Sequence, residues 1–202
     1  MSVVADLTIK RLGLVDYLRT LDAMRSFTRE RDGSTVDELW LLEHPPVYTL
    51  GQGAAPVRVA NGIPVIAADR GGEVTYHGPG QVVLYTLIDL TRRGIKVREF
   101  VRLLEQAVID LIGSRAARRP GAPGVYVDRA KIAALGIRVM RGRAYHGLAL
   151  NVDMDLSPFS AIDPCGYPGL AVTQTRDLGM PGTPAEIGER LAGLVVDALE
   201  HA

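Results

Sequence analysis

The sequence has very little cysteine and no long apolar run. One of its 202 residues is cysteine, so no disulfide can form within the chain, and this count indicates a reducing compartment. No stretch of about 18 uncharged apolar residues is present, so we expect no segment to span a bilayer. Charges near the N-terminus interrupt the apolar run that a signal peptide needs. We therefore expect a cytoplasmic protein.

The sequence also lacks an excess of charge of either sign. It has 23 basic and 23 acidic residues, which argues against binding to nucleic acid or to a membrane surface. Aromatic residues make up 5% of the chain, whereas 47% is hydrophobic, too much for a disordered protein. A chain of this length is typical of one domain.

Periodicity predicts three helices among several runs of strands. Apolar residues recur at steps of three and four over residues 14–28 and 97–112, with Gly113 as a stop signal for the second. The third helix starts at Thr183, where Pro184 and Glu186 complete a capping box. Strand-like runs cover residues 39–42, 47–50, 64–67, 81–90, 124–127, 131–139 and 145–152. Strands in runs favour an α+β fold, and residues 124–152 read as a three-stranded meander.

Residues 70–81 form the most informative segment. Four glycines and a proline lie between two predicted strands, without the spacing of a P-loop or of a dinucleotide fingerprint. Glycines allow a backbone to approach a ligand closely and to adopt positive φ. The segment is therefore either a glycine-rich structural connection or a binding loop that lies against a substrate chain.

Cys165 is placed between proline and glycine, which indicates a constrained loop and an accessible thiol. A lone cysteine is also often a small buried hydrophobe. A nucleophilic thiol needs a base or a positive charge beside it, and Lys131, His77 and His146 are the candidates. Lys131 is notable because 20 of the 23 basic residues are arginine, and lysine can release its proton whereas arginine cannot.

Each of these helpers has a structural alternative. Lys131 can extend its charged end from a strand terminus into water, and His77 and His146 can be hydrogen-bonded structural residues. His44 is a loop or core residue by this reading, and His201 has no indication of function. The spacing of cysteine and histidine does not match a metal site.

Taken together, these segments resemble the lipoyl(octanoyl) transferase family. The resemblance covers residues 7–179. Its motifs lie at residues 42–51, 70–72, 75–81, 124–127, 131–136, 146–151 and 164–166. The combination of RGG, TYHGPGQ, KIAALG and PCG in this order makes the resemblance specific.

This resemblance implies a mixed, largely antiparallel sheet with flanking helices, similar to the catalytic domain of biotin and lipoate protein ligases. Residues 1–202 would form a single catalytic acyltransferase domain. It would transfer an octanoyl or lipoyl group from acyl carrier protein to a lysine of lipoyl domains, in 2-oxoacid dehydrogenase acyltransferase subunits and the glycine cleavage H protein. This is the first step of lipoate cofactor assembly. We expect a monomer with no cofactor, no metal, no nucleic acid and no membrane partner.

The resemblance also implies the roles of individual residues. Cys165 would carry the acyl group as a thioester, and Lys131 would lower the pKa of its thiol. The residues that would bind substrate are Arg70, Gly71, Gly72, Glu73, Val74, Thr75, Tyr76, His77, Ala134, Leu135, Gly136, Gly147, Leu148 and Ala149.

Three other functions stay open at this stage. An ATP-dependent lipoate or biotin ligase would consume ATP, an inactive carrier-binding module would form no acyl-enzyme, and a cysteine hydrolase would release free octanoate. Acyl carrier protein is acidic, so exposed arginines are candidates for its docking surface. These candidates are Arg92, Arg93, Arg115, Arg118, Arg119, Arg141 and Arg143.

Overall fold

The computed structural model describes residues 7–57, 59, 61–162 and 169–202. Within these ranges the strands are β1 (Leu7–Leu14), β2 (Asp37–Glu43), β3 (Val47–Leu50), β4 (Val65–Ala67), β5 (Val74–His77), β6 (Gln81–Asp89), β7 (Ala116–Arg119), β8 (Ala122–Val127), β9 (Ala130–Met140) and β10 (Arg143–Asn151). The α-helices of the same part of the chain are α1 (Tyr17–Glu30), α2 (Leu90–Arg93), α3 (Val97–Ile112) and α4 (Pro184–Glu200).

Two sheets organise these elements. The larger has seven strands in the order β1-β2-β6-β10-β9-β8-β7, and the smaller has three in the order β4-β3-β5. The pairs β1–β2 and β3–β4 are parallel, and all the other pairs are antiparallel. This mixed, largely antiparallel architecture with flanking helices confirms the predicted fold class.

The large sheet separates two apolar cores. Successive side chains of a strand point to opposite faces, and β2 shows the result. Leu39 and Leu41 pack with α3 and α4, whereas Trp40 and Leu42 pack with α1. The face toward α1 also meets the small sheet, and the candidate site lies on that side.

The structure confirms the predicted bounds of one helix, α3, and the predicted capping box of another, α4. The helix α3 covers residues 97–112, and Gly113 follows it with φ of 94°. The capping box between Thr183 and Glu186 is formed at the start of α4. The start of α1 was predicted wrongly, because Asp16 caps it and Leu14 belongs to β1, where it is 60% exposed.

The predicted meander is confirmed, since β8, β9 and β10 pair in antiparallel order. Three strands were missed. The edge strand β1 has five consecutive exposed residues and therefore no alternation, and β7 has only four residues, three of them exposed. The strand β5 lies inside the segment predicted as a loop; all four of its residues are buried, so it too lacks the period-two pattern.

Candidate functional site

A narrow slot lies between the α1-facing side of the large sheet and the small sheet. Its lining is mostly apolar and comes from α1, β5, β6, β9, β10 and the segment before β5. The lining residues are Tyr17, Arg70, Gly72, Glu73, Val74, Thr75, His77, Val83, Tyr85, Ala134, Leu135, Gly136, His146, Gly147, Leu148 and Ala149. Twelve of the fourteen predicted substrate-binding residues are thus brought to one cavity.

Two glycines on neighbouring strands make room for this slot. Gly136 of β9 and Gly147 of β10 are directly opposite each other in the sheet. A Cβ at Gly136 would stand 2.9 Å from the carbonyl oxygen of Gly71, and one at Gly147 would stand 2.1 Å from that of Leu84. Because backbone atoms occupy the space on both sides, neither position admits a side chain without displacement of the backbone.

The segment before β5 is fixed to a stretch of β9 that pairs with β10 along one edge and lies beyond the end of the β8 ladder along the other. The ladder between β8 and β9 ends at the pair of Val125 and Ala133, so β9 is free to accept another partner beyond that point. The amide of Gly71 donates to the carbonyl oxygen of Ile137 at 3.0 Å. The buried guanidinium of Arg70 donates from Nη2 to the carbonyl oxygen of Thr49 at 2.7 Å and to its hydroxyl at 2.8 Å. Arg70 therefore ties this segment to β3 of the small sheet.

A chain of neutral hydrogen bonds crosses the base of the site. Gln81 donates its amide protons to Tyr76 and to Asn151, so its Oε1 accepts from Nδ1 of His77 at 2.7 Å. Nε2 of His77 is then an acceptor, and the hydroxyl of Thr49 lies 3.4 Å from it. Burial lowers the pKa of His77 to about 3, so the ring is neutral. Both nitrogens have partners, which favours the structural interpretation of His77.

Two of the predicted substrate residues do not line the slot. Gly71 lines a wider cleft that adjoins the slot, shares Gly136 with it and also includes Val101 and Pro123. The ring of Tyr76 points away, with its centroid 5.4 Å from that of Tyr48 and 5.5 Å from that of Phe159. Its neighbours on β5, Thr75 and His77, line the slot, as the alternation of side chains along a strand predicts.

Four lining residues were absent from the predicted substrate set. They are Tyr17, Val83, Tyr85 and His146. Tyr17 is the first residue of α1, and Val83 and Tyr85 alternate along β6. The sequence signal for Val83 and Tyr85 was their alternate spacing within the long apolar strand β6. No sequence signal shows that β6 is adjacent to β10.

His146 forms a pair with Asp69. Its Nε2 lies 2.8 Å from Oδ1 of the carboxylate, whose Oδ2 accepts from Tyr145 at 2.7 Å and from Arg25 at 3.0 Å. Although burial opposes it, hydrogen bonds from these three partners hold the pKa of Asp69 well below its usual range. Burial, offset in part by Asp69, lowers the pKa of His146, so an anionic carboxylate holds a neutral imidazole.

Lys131 is buried at the start of β9, 4% exposed, which excludes an ammonium extended freely into water. Its Nζ donates to the carbonyl oxygen of Pro123 at 2.9 Å and lies 5.4 Å from the centre of the Tyr126 ring. A Cβ at Gly124 would stand 2.5 Å from Cε of Lys131. Gly124, with φ of 133°, therefore leaves room for the lysine side chain.

A buried carboxylate holds the strand beside Lys131. Oε1 of Glu105 accepts from the amide of Gly124 at 3.0 Å, and Oε2 pairs with Nε of Arg118 at 3.0 Å. Glu105 is a residue of α3, so the helix fixes the position of the backbone that receives the ammonium. No local sequence pattern predicts the contact between Glu105 and Gly124, which are 19 positions apart.

Cys165 lies outside the described residues, so its proximity to Lys131 stays a prediction. The chain that follows is tied to the lysine, because the amide of Lys131 donates to the carbonyl oxygen of Ala171 at 2.8 Å and the amide of Thr173 donates back at 3.0 Å. Ala171 follows Cys165 by six positions, and a chain of that length spans at most about 20 Å.

Several of the arginines predicted as a docking surface are engaged with carboxylates. Arg92 and Arg93 pair with Asp37, at 2.7 and 2.6 Å. The other pairs are Arg115 with Asp128, Arg118 with Glu105 and Arg143 with Asp89. These pairs reduce the net positive charge that the arginines offer to an acidic partner, and the docking surface stays a prediction.

The described residues include no cluster of three or more His, Cys, Asp or Glu side chains that is suited to a metal ion. In the same part of the chain, no helix combines the length and the apolar character needed to cross a membrane.

Comparison with known sequences gives a family assignment. A sequence model described as the lipoyl protein ligase A/B catalytic domain matches residues 16–193. The octanoyltransferase of Dechloromonas aromatica (strain RCB) is 58% identical over 198 residues, which cover 96% of this chain and 97% of that protein. The octanoyltransferase of Aromatoleum aromaticum is 60% identical over 190 residues, which cover 92% of this chain and 82% of the relative.

Solved structures with low sequence identity share the fold. Lipoate-protein ligase A bound with ATP superposes with a TM-score of 0.77 at 16% identity, over 96% of this chain and 85% of that one. A biotin protein ligase from Aquifex aeolicus gives a TM-score of 0.55 at 9% identity, over 96% and 69% of the two chains. These similarities support the architecture alone.

Proposed function

The chain belongs to the octanoyltransferases of the lipoyl protein ligase A/B catalytic domain family, and from this acyltransferase assignment we propose which groups it transfers and how. The donor is octanoyl-acyl carrier protein. The acceptor is the target lysine of a lipoyl domain, in 2-oxoacid dehydrogenase acyltransferase subunits and in the glycine cleavage H protein. The observation that carries the proposal is the apolar slot, with its glycine floor, in a chain of this family.

The slot would hold the acyl chain. Each buried methylene contributes about 0.8 kcal/mol at most. The sheet floor of Ala134, Gly136, Gly147 and Ala149 leaves space for a thin, unbranched chain. Side chains of Val83 and Tyr85 supply the adjoining apolar wall. This arrangement supports a medium-chain acyl group as the substrate.

The reaction would proceed in two steps. The thiolate of Cys165 attacks the donor thioester, the carrier thiol leaves, and an enzyme thioester forms. The neutral amine of the acceptor lysine then attacks that thioester, an amide forms, and the sulfur of Cys165 leaves as a thiolate. The first step exchanges one thioester for another and is nearly neutral in energy, whereas amide formation makes the second step favourable.

Lys131 would act in both steps. Its ammonium stabilises the thiolate of Cys165 before acylation. As acylation proceeds, this ammonium gives its proton to the departing carrier sulfur, which leaves as a thiol, and the neutral amine of Lys131 then accepts the proton released by the attacking acceptor amine. The burial of Lys131 and the hydrogen bond from its Nζ to the carbonyl oxygen of Pro123 support this role. Arginine can perform the first function but not the second.

The covalent step is tested by mass spectrometry. Incubation with octanoyl-acyl carrier protein should add one octanoyl group to the chain, and Cys165→Ala should abolish both the adduct and the transfer. Normal transfer by Cys165→Ala would refute the covalent route. Addition of ATP should leave the rate unchanged, because the donor thioester is already activated.

The role of Lys131 is tested by comparison of two rates. Lys131→Arg should slow octanoyl transfer more than it slows the alkylation of Cys165 by iodoacetamide. The matched control is Lys96→Arg, at an exposed lysine that precedes α3, which should change neither rate. Equal losses of transfer and alkylation in Lys131→Arg would limit the lysine to stabilisation of the thiolate.

A further inference from the structure

The backbone of His146 has an unusual conformation for a strand residue. Its φ is +61°, in the left-handed region that residues other than glycine rarely adopt. The ladder between β10 and β6 is interrupted there, since pairs are formed at Ala144 and again at Gly147 but not between them. The hydroxyl of Thr86 donates to the carbonyl oxygen of His146 at 3.0 Å and so replaces part of the lost pairing. Such local strain is found preferentially at functional sites.

This conformation places the His146 ring in the slot. Along β10, Tyr145 and Ala149 belong to the core on the α1 side, and Leu148 belongs to the opposite core. Regular alternation would therefore direct His146 to the side of Leu148. Instead its ring stacks on that of Tyr145, with centroids 5.0 Å apart and an angle of 24°, and it lines the slot.

The pair with Asp69 determines which nitrogen carries the proton. An ionised carboxylate only accepts hydrogen bonds, so Nε2 of the neutral ring bears the hydrogen and donates it to Asp69 at 2.8 Å. Nδ1 is consequently an acceptor with an unshared electron pair.

Nδ1 of His146 has no hydrogen-bond partner among the described residues, although the residue is only 1% exposed. Two other buried histidines differ in this respect. Both nitrogens of His44 contact polar atoms, the carbonyl oxygen of Val15 at 2.7 Å and the hydroxyl of Tyr85 at 2.8 Å, and both nitrogens of His77 also have partners. A buried acceptor without a partner requires an explanation, and a ligand atom is one.

His146 is at the end of the slot that is distal to Lys131. It is opposite Ile137 in the β9–β10 ladder, and Lys131 precedes Ile137 by six residues on β9. At about 3.3 Å per residue, these two strand positions are about 20 Å apart. Residues 134–136 of the slot floor lie between them. His146 therefore lies beyond the slot floor as seen from Lys131, on the side toward which the far end of an acyl chain that enters from the Lys131 end would point.

We propose that Nδ1 of His146 is the acceptor of a polar subsite at the distal end of the slot, and that this subsite binds medium-chain acyl groups that carry a protic hydrogen-bond donor, a hydroxyl or a thiol, near the terminal carbon. The inference rests on the proposed function, in which the slot holds the acyl chain. When the chain ends in a methyl group, a water molecule takes the hydrogen bond.

The test compares acyl carrier proteins loaded with octanoyl, 8-hydroxyoctanoyl and 3-hydroxyoctanoyl groups. In His146→Phe, kcat/KM for the 8-hydroxy chain should fall about tenfold relative to that for octanoyl, because the buried hydroxyl loses its acceptor. The ratio for the 3-hydroxy chain should be unchanged, because its hydroxyl is near the carbonyl. An unchanged 8-hydroxy ratio would overturn the proposal and leave Nδ1 with water only.

Two further measurements make the test independent of folding and of catalysis. If His146→Phe does not fold, His146→Asn replaces it, because asparagine tolerates positive φ and its side chain is shorter. In the Cys165→Ala protein, the ¹⁵N signal of His146 Nδ1 should shift on addition of 8-hydroxyoctanoate but not of octanoate. A shift without octanoyl transfer by the unmodified protein would refute the proposed function alone, and normal transfer without a shift would refute the subsite alone.

Discussion

Asp37 and Asp69 show two ways in which this fold uses a buried or partly buried carboxylate. Asp37 is completely buried and contacts Arg31 at 2.6 Å, with Arg92 and Arg93 at similar distances. Asp69 is held by Arg25, Tyr145 and His146, and its side chain is 26% exposed. Three cations surround the first carboxylate, whereas the second is shared between a cation, a phenol and a neutral imidazole.

The two carboxylates differ in where their partners lie and in what those partners contact. The partners of Asp37 join the end of α1, the start of β2 and the short helix α2, and they lie outside the slot. Among the partners of Asp69, His146 lines the slot. Asp69 fixes the tautomer of His146 and thereby leaves Nδ1 as an acceptor in the slot. The same type of side chain thus stabilises the structure at one place and prepares a binding group at the other.

The largest expected effect is on stability, at Asp37. Asp37→Ala should lower the free energy of unfolding by about 3–5 kcal/mol, because Arg31 would remain buried without a counter-charge. Urea denaturation followed by circular dichroism measures this. At a temperature where the variant is folded, its kcat/KM for octanoyl transfer should equal that of the unmodified protein. A loss below about 1 kcal/mol would contradict the structural role given to Asp37.

The buried histidines and the two carboxylates should lose their contributions to stability in different pH ranges. Burial lowers the pKa of His44 to about 4 and of His77 to about 3, whereas the unfolded chain protonates histidine near pH 6.5. The contribution of these neutral histidines to the free energy of unfolding is therefore fully present above pH 6.5. It is lost as the pH falls toward their pKa values in the folded state. Between pH 6.5 and 5.5 these two histidines should together cost about 2 kcal/mol in urea denaturation, and His146, whose pKa is also lowered by burial, adds to that loss.

The carboxylates should contribute only at lower pH. The pKa values of Asp37 and Asp69 are both lowered in the folded state, so their stabilisation is present above the unfolded value and is lost as the pH falls through the folded one. In Asp37→Ala, the loss between pH 6.5 and 5.5 should therefore be the same as in the unmodified protein. A smaller loss in that variant would show that Asp37 titrates in this window.

A smaller loss of stability is expected at Asp69. Asp69→Ala should cost about 1–3 kcal/mol, since it removes a hydrogen-bond acceptor from a partly exposed position. The His146 proton is then no longer held at Nε2, and the kcat/KM ratio of 8-hydroxyoctanoyl to octanoyl should fall, which Asp37→Ala should not reproduce. Equal kcat/KM ratios in Asp69→Ala and Asp37→Ala would contradict the role of Asp69 in orienting His146.

The smallest effect is expected for Tyr145→Phe. This change removes the hydroxyl that donates to Asp69 at 2.7 Å but keeps the ring that stacks on His146. The loss of stability should be about 0.5–1.5 kcal/mol. The 8-hydroxyoctanoyl ratio should be preserved, because Nε2 of His146 still has its carboxylate. A change in that ratio as large as for Asp69→Ala would show that the hydroxyl, not the carboxylate, orients the ring.

Local signals in the sequence predicted much of the fold. The apolar period of α3, the capping box of α4 and the turns of the β8–β10 meander are each determined by residues close in sequence. The strand β1 has no such signal, because its side chains are largely exposed and it is held by backbone bonds to β2. Edge strands of this kind are specified by their neighbour and not by their own pattern.

The candidate site was predictable only where a motif contains its residues. The two triplets of the slot floor, residues 134–136 and 147–149, came from the family resemblance, and the sheet register explains why they act together. The orientation of His146 could not be predicted, because positive φ at a residue other than glycine leaves no trace in composition. Arg92 and Arg93 were expected at a docking surface, yet their partner Asp37 is more than 50 positions away.

The paired glycines of the slot floor also limit how the acyl specificity of this chain can be altered. Backbone oxygens occupy the places that side chains at Gly136 and Gly147 would need, so substitution there distorts the sheet before it reshapes the cavity. The adjoining apolar wall, at Tyr17, Val83 and Tyr85, consists of side chains that can be exchanged for smaller or larger ones. Redesign for bulkier or branched acyl groups should therefore begin with α1 and β6 and leave the glycines intact.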